Sequence, residues 1–123
     1  METAPVDLTV ALHWVGTDRR LLLELVAIFV EEAPARLAEL KNAAAARAAA
    51  PLERTAHSLK SSAGLLGAVS LRAASAELEE RAIAKRFENA PDLVARVESE
   101  LARVVAFFGD PAWKRGLDRG TAP

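Results

Sequence analysis

The chain has 123 residues and a mass of 13.1 kDa, room for one ordinary domain with a single core. Twenty-seven alanines and 17 leucines stand against six glycines, six prolines, six aromatics and no tyrosine, so strong helix formers dominate and strand-favouring residues are scarce. Sixteen Lys and Arg against 17 Asp and Glu leave a formal charge of -1, which argues against a general polyanion binder, and without cysteine there is no disulfide framework, thiolate nucleophile or thiolate zinc site.

The first residues, METAPVDLTV, lack the basic flank and long apolar stretch of a signal peptide. Asp7 precedes LTVALHW and can cap its free amides, which predicts a short leading helix ending near Gly16. Thr17 is the next candidate cap. From Asp18 onward, apolar residues at 21, 22, 25, 26, 28 and 29 follow helical spacing and predict a long helix. Its most apolar part, Leu21 to Val30, is interrupted by Glu24 and falls far short of the roughly 20 residues that cross a bilayer. A soluble, cytoplasmic protein is expected. Pro34 lies inside the continuing pattern, so a kink or break is expected over Glu31 to Pro34, with the alanine-rich second half ending near Ala49. The run AAAARAAA reads as helix suited to close packing.

Pro51 suits the first position of a third helix, PLERTAHSLKSSAGLLG, which Gly67 should stop. A fourth, from Ala68 to about Phe87, carries the stripe Leu71, Ala74, Leu78 and Ala82. A fifth starts at Asn89 or Ala90, ahead of Pro91, and repeats Val94, Val97, Leu101, Val104 and Phe108 until Gly109, Asp110 and Pro111. Four substantial amphipathic helices with short connections predict an all-α fold, an antiparallel four-helix bundle with a short extra N-terminal helix, over residues 1–109. Residues 110–123 read as a C-terminal tail without sustained periodicity. Trp113 and Leu117 could dock one turn of it, but fraying is the expectation.

On a helical wheel, Leu52, Ala56, Leu59, Ala63 and Leu66 share the core sector of the third helix, and His57 projects roughly 140° from Leu52. The imidazole should therefore stand on the wet side. Lys60 and Ser61 follow at helix-neighbour spacing, and Gly64 leaves a bare strip beside the ring, open to close approach by a partner. An uncharged imidazole keeps a ring-nitrogen lone pair and can act as a nucleophile. Lys60 can offset phosphoryl charge, with Arg54 on the other side at a less favourable angle. A lone surface histidine is nevertheless usually just solvated, and small residues such as Ser61, Ser62, Ala63 and Gly64 also serve helix packing. His13, beside Trp14, suits a capping or packing role. Trp14 and Phe29 read as core or helix-docking residues, and Glu77, Glu79 and Glu80 as solvated charge, because no His accompanies them at the spacing a metal bundle requires.

The run His57-Ser58-Leu59-Lys60-Ser61-Ser62-Ala63-Gly64-Leu65-Leu66-Gly67 resembles the signature of histidine-containing phosphotransfer (HPt) domains, in which a phosphoacceptor histidine is followed by x-Leu-Lys-Gly and a further glycine. The resemblance extends from about Val6 to Phe108, through Asp7-Leu8, the Phe-Val-Glu-Glu-Ala-Pro segment at 29–34 and Leu78-Glu79-Glu80. It implies that His57 is the phosphoacceptor, exchanging a phosphoryl group with receiver-domain aspartates in a multistep phosphorelay, and that Lys60 is its electrostatic partner. Gly64 would match the second small position of the docking surface, which Arg54 and Ser61 would also border. Ser61 departs from the usual glycine, narrowing access while offering a hydroxyl donor.

The implied partners are response-regulator receiver domains and a hybrid histidine kinase, with Mg2+ held by the receiver and no cofactor, metal, nucleic acid or membrane for the chain itself. A monomeric phosphoryl carrier is expected, without autonomous kinase activity, since no glycine-rich phosphate cradle or nucleotide-binding domain fits in this length. The competing reading is a non-catalytic helical binding module that docks or sequesters a receiver or kinase; it would lack an acid-labile, base-stable phosphate.

Overall fold

Asp7 begins the ordered helices, its carboxylate accepting hydrogen bonds from the amides of Thr9 and Val10 at 3.0 and 3.4 Å and so capping α1 (Leu8–Trp14). The computed structural model describes residues 4–121. Beyond α1, Gly16 and Thr17 both take left-handed backbone, with φ of 62° and 63°. The Thr17 hydroxyl donates to its neighbour's carbonyl, Gly16 O, at 2.6 Å, so Thr17 belongs to the turn and is not the cap. Asp18 caps α2 (Arg19–Ala45) instead, accepting from the Leu21 amide at 3.0 Å.

Pro34 does not break α2, which runs through it. One missing donor is lost there, while Phe29, Ala33 and Leu40 are buried on either side and hold the rod against the bundle. The helix ends at Ala45 rather than near Ala49, because Arg47 turns left-handed (φ 51°) and the Ala48 amide bonds back to Ala43 O at 2.9 Å. α3 (Ala49–Leu65) therefore starts two residues before Pro51, which still falls in the first turn, where amide hydrogens have no intrahelical partner.

Gly67, at φ 72°, ends α3 as expected and does more: a Cβ there would stand 2.2 Å from Asp7 O. Gly67 O accepts from the Asp7 amide at 2.8 Å, which ties the start of α1 to the α3–α4 turn. α4 (Val69–Ile83) stops short of Phe87 at another left-handed residue, Lys85, and α5 (Ala90–Gly109) follows Asn89 with proline in its first turn.

α2 to α5 form the expected bundle, each packing on its neighbours in sequence and α5 closing back on α2. Leu22, Leu40, Leu52, Leu71, Leu78, Val97 and Val104 fill its centre, each worth about 1.5–3 kcal/mol of burial. Small side chains of α3 and α4, Ala56, Ala63, Ala74 and Ser75, lie fully buried, and these two helices are the most extensively packed pair. Phe29 is buried as expected. Trp14, read as core or helix-docking, is instead 62% exposed.

The segment beyond Gly109, read as a frayed tail, carries a sixth helix, α6 (Ala112–Thr121), lying against α1. Trp113 and Leu117 are buried, Trp113 Nε1 donates to Phe108 O at 3.0 Å, and the Trp113 ring meets the edge of Phe108 at 5.0 Å. The end of α5 and α1 supply the notch that makes two apolar residues sufficient.

Candidate functional site

The outward face of α3 carries His57, whose side chain is 58% exposed, together with Ser61 and the partly covered Lys60 and Gly64. The wheel argument for an outward His57 therefore holds. What it missed comes from α4. Glu79 is only 8% exposed, and its carboxylate bridges two α3 side chains: Oε2 lies 2.7 Å from His57 Nδ1 and Oε1 2.6 Å from Lys60 Nζ. The tight small-residue packing of α3 on α4 brings the three groups within reach.

The acidic cluster read as solvated charge thus splits. Glu80 is exposed, and Glu77 pairs with Arg96 at 2.9 Å near the surface. Glu79 instead lies at the edge of the core stripe, one turn after Ser75 and one before Ala82. On the wheel of the stripe Leu71, Ala74, Leu78 and Ala82, Glu79 and Glu77 fall about 95° and about 105° from its centre, on opposite sides, and Glu80 roughly 165° away, so the wheel sets Glu80 apart but does not separate Glu79 from Glu77. What separates them is tertiary, the packing of α4 on α3.

The Lys60 ammonium, first, and His57, second, hold the Glu79 carboxyl below its ordinary value of 4.5, against burial that pushes it up. Glu79 is therefore ionised near neutral pH and can only accept hydrogen bonds. It follows that His57 Nδ1 carries the hydrogen and donates it, and that in the uncharged ring the lone pair sits on Nε2. A buried carboxylate thus fixes which nitrogen of an exposed imidazole keeps its lone pair.

Ser61 and Gly64 line a groove of about 490 Å³ with Val10, Trp14, Lys60, Val69 and Arg72. The strip over Gly64, expected to be bare, is covered: a Cβ there would lie 3.2 Å from Arg72 Cδ and Nε. Arg54 is not gathered with these residues; it lines a separate groove with Arg36, Asn42, Pro51 and Thr55. His13 stands edge-on to Trp14, ring centroids 5.9 Å apart. Among the described residues, no three His, Cys, Asp or Glu side chains gather as a metal site, and no helix is long and apolar enough to cross a membrane.

The sequence profile described as Hpt domain matches residues 24–107. The fold is similar to histidine-containing phosphotransfer protein B (HptB) from Pseudomonas aeruginosa PAO1, at 30% identity and a TM-score of 0.79, covering 96% of this chain and 98% of that one. It is also similar to the HPT domain of the Hpt sensor hybrid histidine kinase from Shewanella, at 18% identity and a TM-score of 0.76, covering 97% and 98%, a likeness of fold alone. No curated protein matches by sequence. With a bundle of this shape and a profile match over most of its length, the chain belongs to the Hpt domain family, and its function is histidine phosphotransfer in a phosphorelay.

Proposed function

We propose that His57 is the phosphoacceptor and Nε2 its reacting atom. The observation that carries this reading is the 2.7 Å contact from Nδ1 to an ionised, nearly buried Glu79 on an otherwise exposed ring. Presented with an aspartyl phosphate, the Nε2 lone pair attacks phosphorus in line. The N–P bond forms as the P–O bond to the aspartate breaks, and the aspartate leaves as a carboxylate. The ring then carries a phosphoryl group and a positive charge, which Glu79 offsets through the Nδ1 hydrogen. Reversal of the same step onto a second receiver discharges the ring.

Lys60 adds cationic charge one helical turn from the ring, lowering the repulsion met by the incoming phosphoryl group. Ser61 and Gly64 border the surface on which the receiver sits, with Arg54 on the opposite flank. The partners are response-regulator receiver domains, fed by a hybrid histidine kinase, and the Mg2+ that offsets acyl-phosphate charge belongs to the receiver. In this reading residues 1–109 form the transfer unit, acting as a cytoplasmic monomer.

The test is labelling by a phosphorylated receiver. The wild-type chain should acquire an acid-labile, base-stable phosphate, and His57→Gln should keep its helical circular dichroism while acquiring none. Persistent labelling of that variant would remove His57 from the reading.

A further inference from the structure

We propose that Ser75 on α4 is a positioning residue for phosphoryl transfer: its hydroxyl takes the place of Lys60 on the Glu79 carboxylate when the lysine turns to the phosphoryl group. This rests on His57 as acceptor. Ser75 is fully buried, and its Oγ is the one buried side-chain polar atom without a hydrogen-bond partner among the described residues. A hydroxyl taken from water and left unpaired destabilises a fold, which is why such groups are uncommon in native cores. Alanine would carry no such cost, as at the fully buried Ala56, Ala63 and Ala74.

Helix geometry aims the hydroxyl at one acceptor. Glu79 follows Ser75 by four residues, so the two share a face of α4. Helix side chains lean toward the N-terminus, which carries the Glu79 carboxylate back over the turn that holds Ser75. The register of the two helices puts Lys60 at the same level. His57 meets Glu79 and Gly64 meets Arg72, seven residues apart on each helix in opposite directions. Ser75 therefore lies opposite the α3 turn that carries Lys60 and Ser61. Other cations are committed elsewhere: Arg36 of α2 to Glu32 and Glu39 at 3.9 and 3.8 Å, and Arg96 of α5 to Glu77 at 2.9 Å, while Arg72 lies over Gly64.

In the resting protein Lys60 Nζ sits 2.6 Å from Glu79 Oε1, and Oε2 holds His57 Nδ1 at 2.7 Å. An ammonium committed to Oε1 offers less of its charge to a phosphoryl group on Nε2. Its move to the phosphoryl oxygens would leave Oε1 unpaired on a side chain only 11% exposed. The Ser75 hydroxyl removes that obstacle, because it can turn, donate to Oε1, and leave Oε2 and its hold on Nδ1 undisturbed. The unpaired hydroxyl of the resting state is the reserve donor of the phosphorylated one. Only hydrogen bonds change in this exchange, and no proton passes between residues.

The experiment combines single-turnover transfer from a saturating phosphorylated receiver with thermal unfolding of the unphosphorylated full-length chain, for Ser75→Ala, Lys60→Ala and the double variant. Ser75→Ala should slow transfer by about three- to tenfold, the scale of one intramolecular hydrogen bond expressed in a rate. Its thermal midpoint should stay at or rise above that of wild type, since an unpaired buried hydroxyl gives way to a better helix former. With Lys60 gone, Ser75 serves Glu79 in both states. Adding Ser75→Ala to Lys60→Ala should therefore lower the midpoint and change the rate by less than about twofold. A purely structural serine would move stability in the same direction in both backgrounds. Transfer by Ser75→Ala within about twofold of wild type overturns the proposal. So does a midpoint that falls in the wild-type background, or one that shifts alike in both. None of these results touches the acceptor reading, which fails only if His57→Gln is still labelled.

Discussion

Replacing Glu79 by glutamine removes one charge and one acceptor from a site that uses both. Lys60 can only donate, so the single amide oxygen must turn to it, and the amide NH2 then faces His57 Nδ1. A donor opposite Nδ1 favours the tautomer whose hydrogen is on Nε2, and the reacting lone pair is lost from the favoured form. A hydrogen bond to a charged group is worth about 1.5–3 kcal/mol, or about ten- to 150-fold in rate if all of it is expressed in the transition state. Because the ring is 58% exposed, water competes for Nδ1, and the lower end is expected, about ten- to thirtyfold. Single-turnover transfer from saturating phosphorylated receiver measures this, and 15N chemical shifts of the ring report the tautomer. A variant that transfers within about twofold of wild type, or that keeps the hydrogen on Nδ1, would refute the argument.

The pH dependence of stability follows from the same carboxylate. With its folded value held below the ordinary 4.5, Glu79 contributes stability that is complete above that value and is lost as pH falls through the lowered one. The unfolding free-energy gap between wild type and Glu79→Gln, present near pH 7, should narrow as pH falls below the ordinary 4.5, and a constant gap in urea titrations would contradict the assignment. Lys60→Ala should slow transfer while leaving the thermal midpoint close to wild type; a fall on the scale of a core deletion would count against its partly exposed placement. Gly67→Ala should cost more than the roughly 1–2 kcal/mol of left-handed backbone, because its Cβ would also collide with Asp7 O, and chemical denaturation reads the loss. Leu71→Ala, at a fully buried position, should cost about 2–5 kcal/mol by the same measurement.

The elements that the sequence revealed are those whose local signals agree with their burial. Asp7 before an apolar run, Gly67 after one, and the three-and-four spacing from Val94 to Phe108 each became the predicted cap, stop or buried stripe. The signature at His57 and the face it occupies were legible for the same reason. Where tertiary contacts decide, local signals misled. Pro34 read as a kink or a break, but propensity ignores the buried residues flanking it and the helix runs on; Trp14 read as core or helix-docking, but hydrophobicity alone does not say whether a ring at a helix end is covered, and this one is exposed. Residues 112–121 lack a long apolar period, yet Trp113 and Leu117 need only the notch between α1 and α5. Glu79 is the most instructive case, since its role depends on which helix faces it. A wheel does not separate it from Glu77, and only the pairing of α4 with α3 puts His57 and Lys60 at its two oxygens.

The regiochemistry of the phosphorylated protein tests the central claim most directly. After transfer from a phosphorylated receiver, 31P and 15N spectra with site mapping should show one phosphoryl group, on Nε2 of His57, with the Nδ1 hydrogen retained. Phosphorus on Nδ1, or on any other residue, would contradict the arrangement in which Glu79 holds one ring nitrogen and frees the other.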